Sequence, residues 1–353
     1  MNSAKKILFS ANDPGGWNAI LPVVRALVER GDVAQGILTG PALDQFRSLD
    51  SSSQYFVIKR SIGIIDGAQF SDNDLAREIA AFKPDVYLAA SSIGNSIDKR
   101  IFKLLRNITS VYVVDFWSHY AHRFVEKQQD LRHMPTRICV IDERMKKMML
   151  EERFPEERIT ITGNPHFDHF ADAITSDHED NTRAVFISQP IKQDKKHAGY
   201  ADRGFDEFGT FESVIRCLPD DLHLSIRLHP REKRAKFNAY LNDRITVGDE
   251  ATLEEALSKA GLVIGMFSPV LMQSALAGKP TISYQPGNAE DPLPTNPVGI
   301  TKLARNESEL RALIKKYQDW QFPKSKEKVE NIWPKGATER VVAVIDEIIT
   351  GKV

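Results

Sequence analysis

The sequence contains only two cysteines among its 353 residues, and it has no apolar run long enough to cross a bilayer. Cys139 and Cys217 each lie inside an apolar run, which predicts buried free thiols rather than a structural zinc site. The N-terminus, Met1-Asn-Ser-Ala-Lys-Lys6, leads directly into a strand pattern and has no signal-peptide core. We therefore expect a cytoplasmic protein with no integral membrane segment.

Net charge is also nearly absent. The 47 lysines and arginines are balanced by 48 aspartates and glutamates, so we expect no nucleic acid partner. The chain has no G-x-G-x-x-G fingerprint, and we expect no dinucleotide or other cofactor. Asp72-Asn-Asp74 has the form of a metal-binding Asp-x-Asp motif, but it opens a predicted helix, where aspartate is a common cap. We expect no metal site.

Strand and helix patterns alternate along the whole chain. A strand at Lys6–Ser10 is followed by an amphipathic helix at 18–30. Further strands are predicted at 33–39, 55–58, 86–90, 110–114, 137–141, 159–162 and 184–188, and near 222, 262 and 281. This alternation is typical of βαβ units and parallel sheets.

The length of the chain suits two domains better than one. The polar stretch Ser176–Thr182 is the best candidate for a linker. We predict an α/β fold of two doubly wound parallel-sheet, Rossmann-like domains. Residues 1–165 form the first domain, 166–335 form the second, and a last helix within 336–353 packs back on the first.

A cluster of cations follows the predicted strand at Leu222. Arg227, His229 and Pro230 lie at the end of this strand, where parallel α/β sheets bind ligands. The imidazole could bind a phosphate oxygen, and Pro230 would fix the direction in which the chain leaves. The alternative is that these residues only end a strand and bond to a loop. We favour the functional interpretation because of the strand-end position.

A second segment, Gly265-Met-Phe-Ser268, follows the strand at residue 262 and precedes a helix. Ser268 could bind phosphate together with the first amides of that helix, or it could be an ordinary N-cap, and the two roles are compatible. Gln273, one turn further on, is a weaker candidate. Gln189 and Lys192, which follow the first strand of the second domain, could also reach a donor. The segment predicts a site for a phosphorylated or nucleotide-activated small molecule.

Candidate acceptor-side residues follow strands of the first domain. Gly15 and Gly16 allow close backbone approach after the first strand, and Asn95 follows the strand at 86–90. Asp13 is a candidate general base, although Asn12-Asp-Pro-Gly-Gly16 could equally be turn chemistry.

Asp115-Phe-Trp-Ser-His-Tyr-Ala-His122 supplies a second base candidate. Its aromatic and polar side chains suit a sugar, although a loop covering the core is the alternative. We rank Asp115 slightly behind Asp13, with His119 third.

These motifs resemble those of the glycosyltransferases with two facing Rossmann-like domains, the GT-B architecture, and of the UDP-N-acetylglucosamine 2-epimerases that share it. The residues that carry the resemblance are Asn12–Asn18, Thr162–Pro165, His229-Pro230, Gly265–Ser268 and Gly278–Ser283. The His-Pro pair is similar to that of bacterial sialyltransferases, Kdo transferases and glycerophosphate polymerases, which use CMP- or CDP-activated donors. The chain departs from the epimerases in lacking an obvious equivalent of their second-strand-end arginine and paired acidic residues.

The resemblance implies a metal-independent glycosyltransferase with two domains facing a cleft. The second domain would bind a nucleotide-activated sugar, with a CMP- or CDP-linked donor favoured by the His-Pro pair, and the first would bind the acceptor and hold the base. The acceptor would be a carbohydrate or lipid-linked hydroxyl in surface-polysaccharide or glycoconjugate synthesis. One alternative is a nucleotide-sugar 2-epimerase or hydrolase of the same fold. The other is a non-catalytic nucleotide-sugar-binding protein.

Overall fold

Parallel strands form two separate sheets in the computed structural model, which describes residues 4–49, 56–105, 108–117, 119–124, 134–168, 180–194, 202–287, 290–322 and 326–351. The strands are β1 (Lys6–Ala11), β2 (Val33–Leu38), β3 (Gly63–Asp66), β4 (Val86–Ala90), β5 (Ser110–Val113), β6 (Arg137–Val140), β7 (Ile159–Ile161), β8 (Asp180–Ile187), β9 (His223–Arg227), β10 (Ile245–Val247), β11 (Ala260–Gly265), β12 (Thr281–Tyr284) and β13 (Lys302–Ala304).

Helices separate most consecutive strands. They are α1 (Pro14–Glu29), α2 (Gly40–Ser48), α3 (Phe56–Ser61), α4 (Asp72–Phe82), α5 (Ile97–Leu104), α6 (Tyr120–Phe124), α7 (Glu143–Glu151), α8 (165–168 within the described residues), α9 (Ile191–Asp194), α10 (Glu207–Cys217), α11 (Leu253–Ser258), α12 (Pro269–Leu276), α13 (Glu307–Gln318), α14 (Lys326–Ile332) and α15 (Ala337–Ile349). Short 3-10 turns occur at Glu156–Arg158 and Arg234–Tyr240.

Each sheet has one point at which the strand order reverses. The first sheet has the order β3-β2-β1-β4-β5-β6-β7, and the second has the order β10-β9-β8-β11-β12-β13. The reversals therefore lie between β1 and β4 and between β8 and β11. In sheets of this kind, ligands bind at the carboxyl ends of the strands beside such a point. The predicted fold class, two doubly wound parallel-sheet units, is confirmed.

The chain divides into two compact units. Unit 1 comprises Met1–His169 and Trp333–Val353, and unit 2 comprises Phe170–Ile332. Helix α15 lies in unit 1, where its Val341 and Ile345 belong to the same buried apolar cluster as Ile20 and Val24 of α1.

Several predicted boundaries differ from the structure. The first helix begins at Pro14 rather than Asn18, because a proline can occupy the first helical position. Of the predicted linker, Ser176–Glu179 lie outside the described residues, and Asp180–Thr182 begin β8.

The prediction of a strand at residues 55–58 is wrong. Its first residue lies outside the described part of the chain, and the remainder begins the helix Phe56–Ser61. The helix buries Ile58 against the core of unit 1, and the strand of this region, Gly63–Asp66, follows it.

Both cysteines are buried and free, as predicted. Burial raises the pKa of Cys139 to about 12, so its thiol stays protonated at neutral pH. Among the described helices, none is both long and apolar enough to cross a membrane.

Candidate functional site

The two loops beside the reversal point of unit 2 are bonded to each other. The amide of Phe267, after β11, donates to Oε1 of Gln189, after β8, at 3.0 Å. Gly265 ends β11 where a Cβ would lie 3.2 Å from Ile187 of the neighbouring strand, so only glycine fits without displacing a neighbour. The hydrogen bond between Phe267 and Gln189 and the close approach of Gly265 to Ile187 together position the loop that leads into α12.

Ser268 begins α12. Its hydroxyl accepts a hydrogen bond from the amide of Val270 at 3.2 Å, and Pro269 occupies the first turn. The expected N-cap is therefore present, and the role of Ser268 in binding phosphate stays a prediction. Gln273 lies half-buried further along the same helix.

The end of β9 is tied to the end of β8 through Glu232. One carboxylate oxygen of Glu232 accepts from the amide of His229 at 2.8 Å, and the other accepts from the hydroxyl of Ser188 at 3.0 Å. Nδ1 of His229 accepts from the amide of Arg231 at 3.1 Å, so the proton of a neutral ring lies on Nε2. His229 thus lies at the same edge of the sheet as Gln189, with Nε2 as a hydrogen-bond donor.

Glu232 belongs to a buried group of charges that the sequence analysis missed. Lys236 forms ion pairs with both Glu232 and Glu207, whose side chains are each 2% exposed. Glu207 also accepts from the amide of Lys192 at 2.8 Å. Glu232 lies in a bend before the 3-10 turn that contains Lys236, so the helical rule for residues four apart gave no signal for their pairing. These bonds fix Glu232, and through it they fix His229.

The remaining predicted donor residues have other contacts. Arg227 donates to the main-chain oxygen of Glu250, after β10, at 2.6 Å. The ammonium of Lys192 lies 5.3 Å from the ring centre of Phe208. Pro230 is exposed.

At the reversal point of unit 1, α1 packs directly on β4. A Cβ on Gly16 would lie 2.7 Å from Cβ of Ala90, so this close approach requires glycine. Asp13 is the N-cap residue of α1, but its side chain makes no capping hydrogen bond within the described structure. Oδ1 of Asp13 accepts from the side-chain amide of Asn12 at 2.9 Å.

Asp115, after β5, is held by an arginine that sequence analysis did not select. Arg123 donates to Oδ1 of Asp115 at 2.8 Å and to the main-chain oxygen of Ser91 at 2.9 Å. Both side chains of this ion pair are largely buried. The other oxygen of Asp115 lies against Gly15. The structure therefore brings together the loops that follow β1, β4 and β5.

His119 and Asn95 are exposed side chains of the same unit. His119 has a φ of +58°, and its ring centre lies 6.2 Å from that of His122. Ser118, which precedes His119, lies outside the described residues.

A fully buried lysine lies under the loop after β4, and no sequence motif pointed to it. The ammonium of Lys99 donates to the main-chain oxygen of Ser92 at 2.5 Å and to the hydroxyl of Ser96 at 3.1 Å. It lies 3.6 Å from the carboxylate of Asp98. Burial raises the pKa of Asp98 and lowers the pKa of Lys99, and their mutual attraction opposes both shifts.

Within the described ranges, no group of three or more histidine, cysteine, aspartate or glutamate side chains is arranged to hold a metal ion. Asp74 of the Asp-x-Asp segment instead forms a capping box with Ser71 at the start of α4.

Comparison with known proteins gives similarity in structure alone. No family model and no curated protein matches the chain. A protein of Listeria monocytogenes assigned to the UDP-N-acetylglucosamine 2-epimerases is 17% identical, with a TM-score of 0.70 over 98% of this chain and 96% of that one. The 2-epimerase of Methanocaldococcus jannaschii, in complex with UDP-GlcNAc and UDP, is 16% identical, with a TM-score of 0.62 over 97% and 99%. Acinetobacter baumannii MurG is 14% identical, with a TM-score of 0.60 over 98% and 99%.

These similarities extend over nearly the full length of the chains compared. Together with the two doubly wound sheets, they show that this chain has the two-unit Rossmann-like fold of GT-B type. At such identities they show the fold and not the activity.

Proposed function

We propose that this protein is an enzyme that acts on a nucleotide-activated sugar and transfers the sugar to an acceptor hydroxyl. One observation carries the proposal. The ends of β8, β9 and β11 are joined by the Gln189–Phe267 bond and by the bridge from Ser188 through Glu232 to His229. They present an imidazole and the N-terminus of α12 at one sheet edge, and this combination suits a phosphate group.

Unit 1 supplies candidates for the base. Asp115 is paired with Arg123, whereas the carboxylate of Asp13 accepts only from the neutral side-chain amide of Asn12 among the described contacts. We therefore keep Asp13 as the proposed base, Asp115 as the second candidate and His119 as the third. Gly15, Gly16 and Asn95 are the proposed acceptor-side residues.

In the proposed reaction, the carboxylate takes the proton of the acceptor hydroxyl while that oxygen attacks the anomeric carbon of the donor sugar. The bond from this carbon to the phosphate oxygen breaks, and the nucleotide leaves with the electron pair. Hydrogen bonds from Ser268, the first amides of α12 and His229 would stabilise the negative charge that develops on the leaving phosphate.

The nucleotide of the donor is a separate question. The His229-Pro230 pair favours CMP or CDP through the resemblance noted above, whereas a structurally similar epimerase binds UDP-GlcNAc and UDP. We propose the acceptor as a carbohydrate or lipid-linked hydroxyl.

A second candidate function is epimerisation of a nucleotide sugar. It is favoured by the similarity to 2-epimerases along nearly the whole chain, with a TM-score of 0.70 in one comparison. An epimerase must break and remake a bond at a ring carbon and needs no acceptor.

Incubation of the protein with UDP-, CDP- and CMP-sugars, followed by NMR and chromatography, separates the candidates. A transferase releases nucleotide only when an acceptor is added. An epimerase converts the nucleotide sugar to an isomer in water alone, and a hydrolase releases nucleotide without acceptor. Binding of nucleotide with no turnover under any of these conditions would leave a non-catalytic binding protein and contradict the proposal.

A further inference from the structure

We propose that Arg203 is an additional anion-binding residue of unit 2 and that its guanidinium binds the diphosphate of the activated donor. The identity of the ligand rests on the proposed function. The placement of Arg203 rests only on contacts within unit 2.

Arg203 stacks on the loop that leads into α12. Its guanidinium carbon lies 4.6 Å from the ring centre of Phe267, the residue directly before Ser268. Phe205 packs edge-on against the same ring at 6.2 Å and is itself buried. The amide of Phe267 donates to Gln189, so the ring belongs to the bonded loops at the reversal point. The stack therefore holds a positive charge beside the start of α12.

A second contact sets the orientation of the guanidinium. One terminal nitrogen of Arg203 donates to the main-chain oxygen of Glu290 at 2.6 Å. A planar group stacked on a ring and bonded at one nitrogen has little rotational freedom left. Its other N–H groups can then bind a ligand at a smaller entropic cost than those of a mobile side chain.

Arg203 also differs from those arginines of the chain that pair with carboxylates. Arg123 is paired with Asp115 and Arg183 with Glu250. In the part of the chain that the structure describes, no carboxylate forms an ion pair with Arg203. An arginine has five N–H donors, and the bond to Glu290 uses one.

Phosphate is the anion that best fits these properties. A guanidinium binds two oxygens of a phosphoryl group through parallel hydrogen bonds, which a lysine ammonium cannot reproduce. Ser268 follows Phe267 directly, so Arg203 adds a full positive charge next to the partial positive charge of the helix start. A diphosphate offers two phosphoryl groups. We therefore expect the affinity for a diphosphate to depend on Arg203 more than the affinity for a monophosphate does.

Calorimetric titration of the full chain with UDP, CDP, UMP and inorganic diphosphate tests this role. The variants are Arg203→Ala, Arg203→Lys and Phe267→Leu. The matched control is Arg216→Ala, because Arg216 is also an arginine of unit 2 but pairs with Glu307 on the surface. Circular dichroism and the melting temperature establish that each variant is folded.

We expect Arg203→Ala to weaken binding of the nucleoside diphosphate and of inorganic diphosphate by about tenfold to a hundredfold. The loss for UMP should be smaller. Arg203→Lys should recover only part of the affinity, and Phe267→Leu should lose affinity because the stack is gone. Arg216→Ala should bind like the parent.

Parental affinity for diphosphate in both Arg203→Ala and Phe267→Leu would overturn the role of Arg203, and so would an equal loss in Arg216→Ala. If Arg203→Ala does not fold, parental affinity for diphosphate in both Arg203→Lys and Phe267→Leu would overturn the role of Arg203. If the unmodified protein binds inorganic diphosphate through Arg203 but binds no nucleotide, the proposed function is contradicted and the anion-binding role of Arg203 is supported. A parent that binds neither would contradict both.

Discussion

The carboxylate of Asp115 lies so close to Gly15 that a methyl group at position 15 would overlap its Oδ2. The same carboxylate is paired with Arg123 through its other oxygen. A side chain at position 15 would therefore displace the carboxylate of Asp115 and disturb its pairing with Arg123, in the region where the proposed base lies.

We expect Gly15→Ala to reduce turnover by about tenfold to a hundredfold, because displacing a group near the reacting atoms by a fraction of an ångström disturbs their alignment. Steady-state assays of nucleotide release measure the effect. Gly209→Ala is the control. Gly209 also lies in the first turn of a helix, but a Cβ there would have only a contact of 3.7 Å with Asp206. Parental turnover in Gly15→Ala would show that the position of Asp115 does not matter for activity.

The choice of base is tested by replacing each aspartate with asparagine. Asp13→Asn should reduce turnover by about 10²–10⁴-fold and leave nucleotide affinity nearly unchanged, because the proposed donor residues all lie in unit 2. Asp115→Asn should lower the melting temperature, because it removes the carboxylate charge from the largely buried ion pair with Arg123. If Asp115→Asn loses turnover and Asp13→Asn keeps it, the ranking of the two aspartates is wrong.

His229→Asn tests whether the imidazole of His229 donates a hydrogen bond to the phosphate of the nucleotide. An asparagine oxygen can replace Nδ1 as the acceptor for the amide of Arg231, but it cannot supply the donor at Nε2. We expect nucleotide binding to weaken by about 1.5–3 kcal/mol, the usual value for a hydrogen bond to a charged group. His223→Asn is the matched control, since His223 is exposed at the opposite end of the same strand. Calorimetry that gives equal affinities for the two variants would exclude His229 from the phosphate site.

Lys99→Met should make the free energy of unfolding depend more strongly on pH than it does in the parent. Burial raises the pKa of Asp98, and Lys99 opposes this shift, so removing Lys99 raises the pKa further. The folded form then holds a proton that the unfolded form has released above its ordinary pKa of about 4. The free energy of unfolding should therefore fall as the pH rises from about 4 towards the raised pKa.

Urea unfolding at pH 5 and pH 8 measures this dependence. At pH 8 we expect a loss of about 3–5 kcal/mol relative to the parent, and a smaller loss at pH 5. The exposed Lys103 of the same helix provides the control, Lys103→Met. A loss that is the same at both pH values would mean that Asp98 stays ionised without Lys99.

The sequence predicted much of the fold because buried parallel strands appear as short apolar runs between helices. It failed at residues 55–58, because a short apolar run fits a buried helical face as well as a strand. It also missed β10 and β13, which are only three residues long and lack a clear apolar run.

The candidate site was predictable only in part. His229 and Ser268 could be selected because polar residues that end a strand lie at the ligand-binding edge of a parallel sheet. Their supporting contacts could not be predicted. Glu232 bonds to Ser188 across 44 residues of sequence, and Arg203 stacks on Phe267 through the fold of unit 2. A single sequence gives no signal for pairs that only tertiary structure brings together.

Unit 1 is built from two separated parts of the chain, and this has a consequence for folding during synthesis. Val341, Val344, Ile345 and Ile348 of α15 complete an apolar core whose other buried members come from the first half of the sequence. The core cannot close until the last helix has left the ribosome, whereas unit 2 is continuous and can fold earlier. The first half of the chain therefore keeps an uncovered apolar face until α15 is available, and a released chain truncated before residue 337 should have a folded unit 2 and an incomplete unit 1 that chaperones recognise.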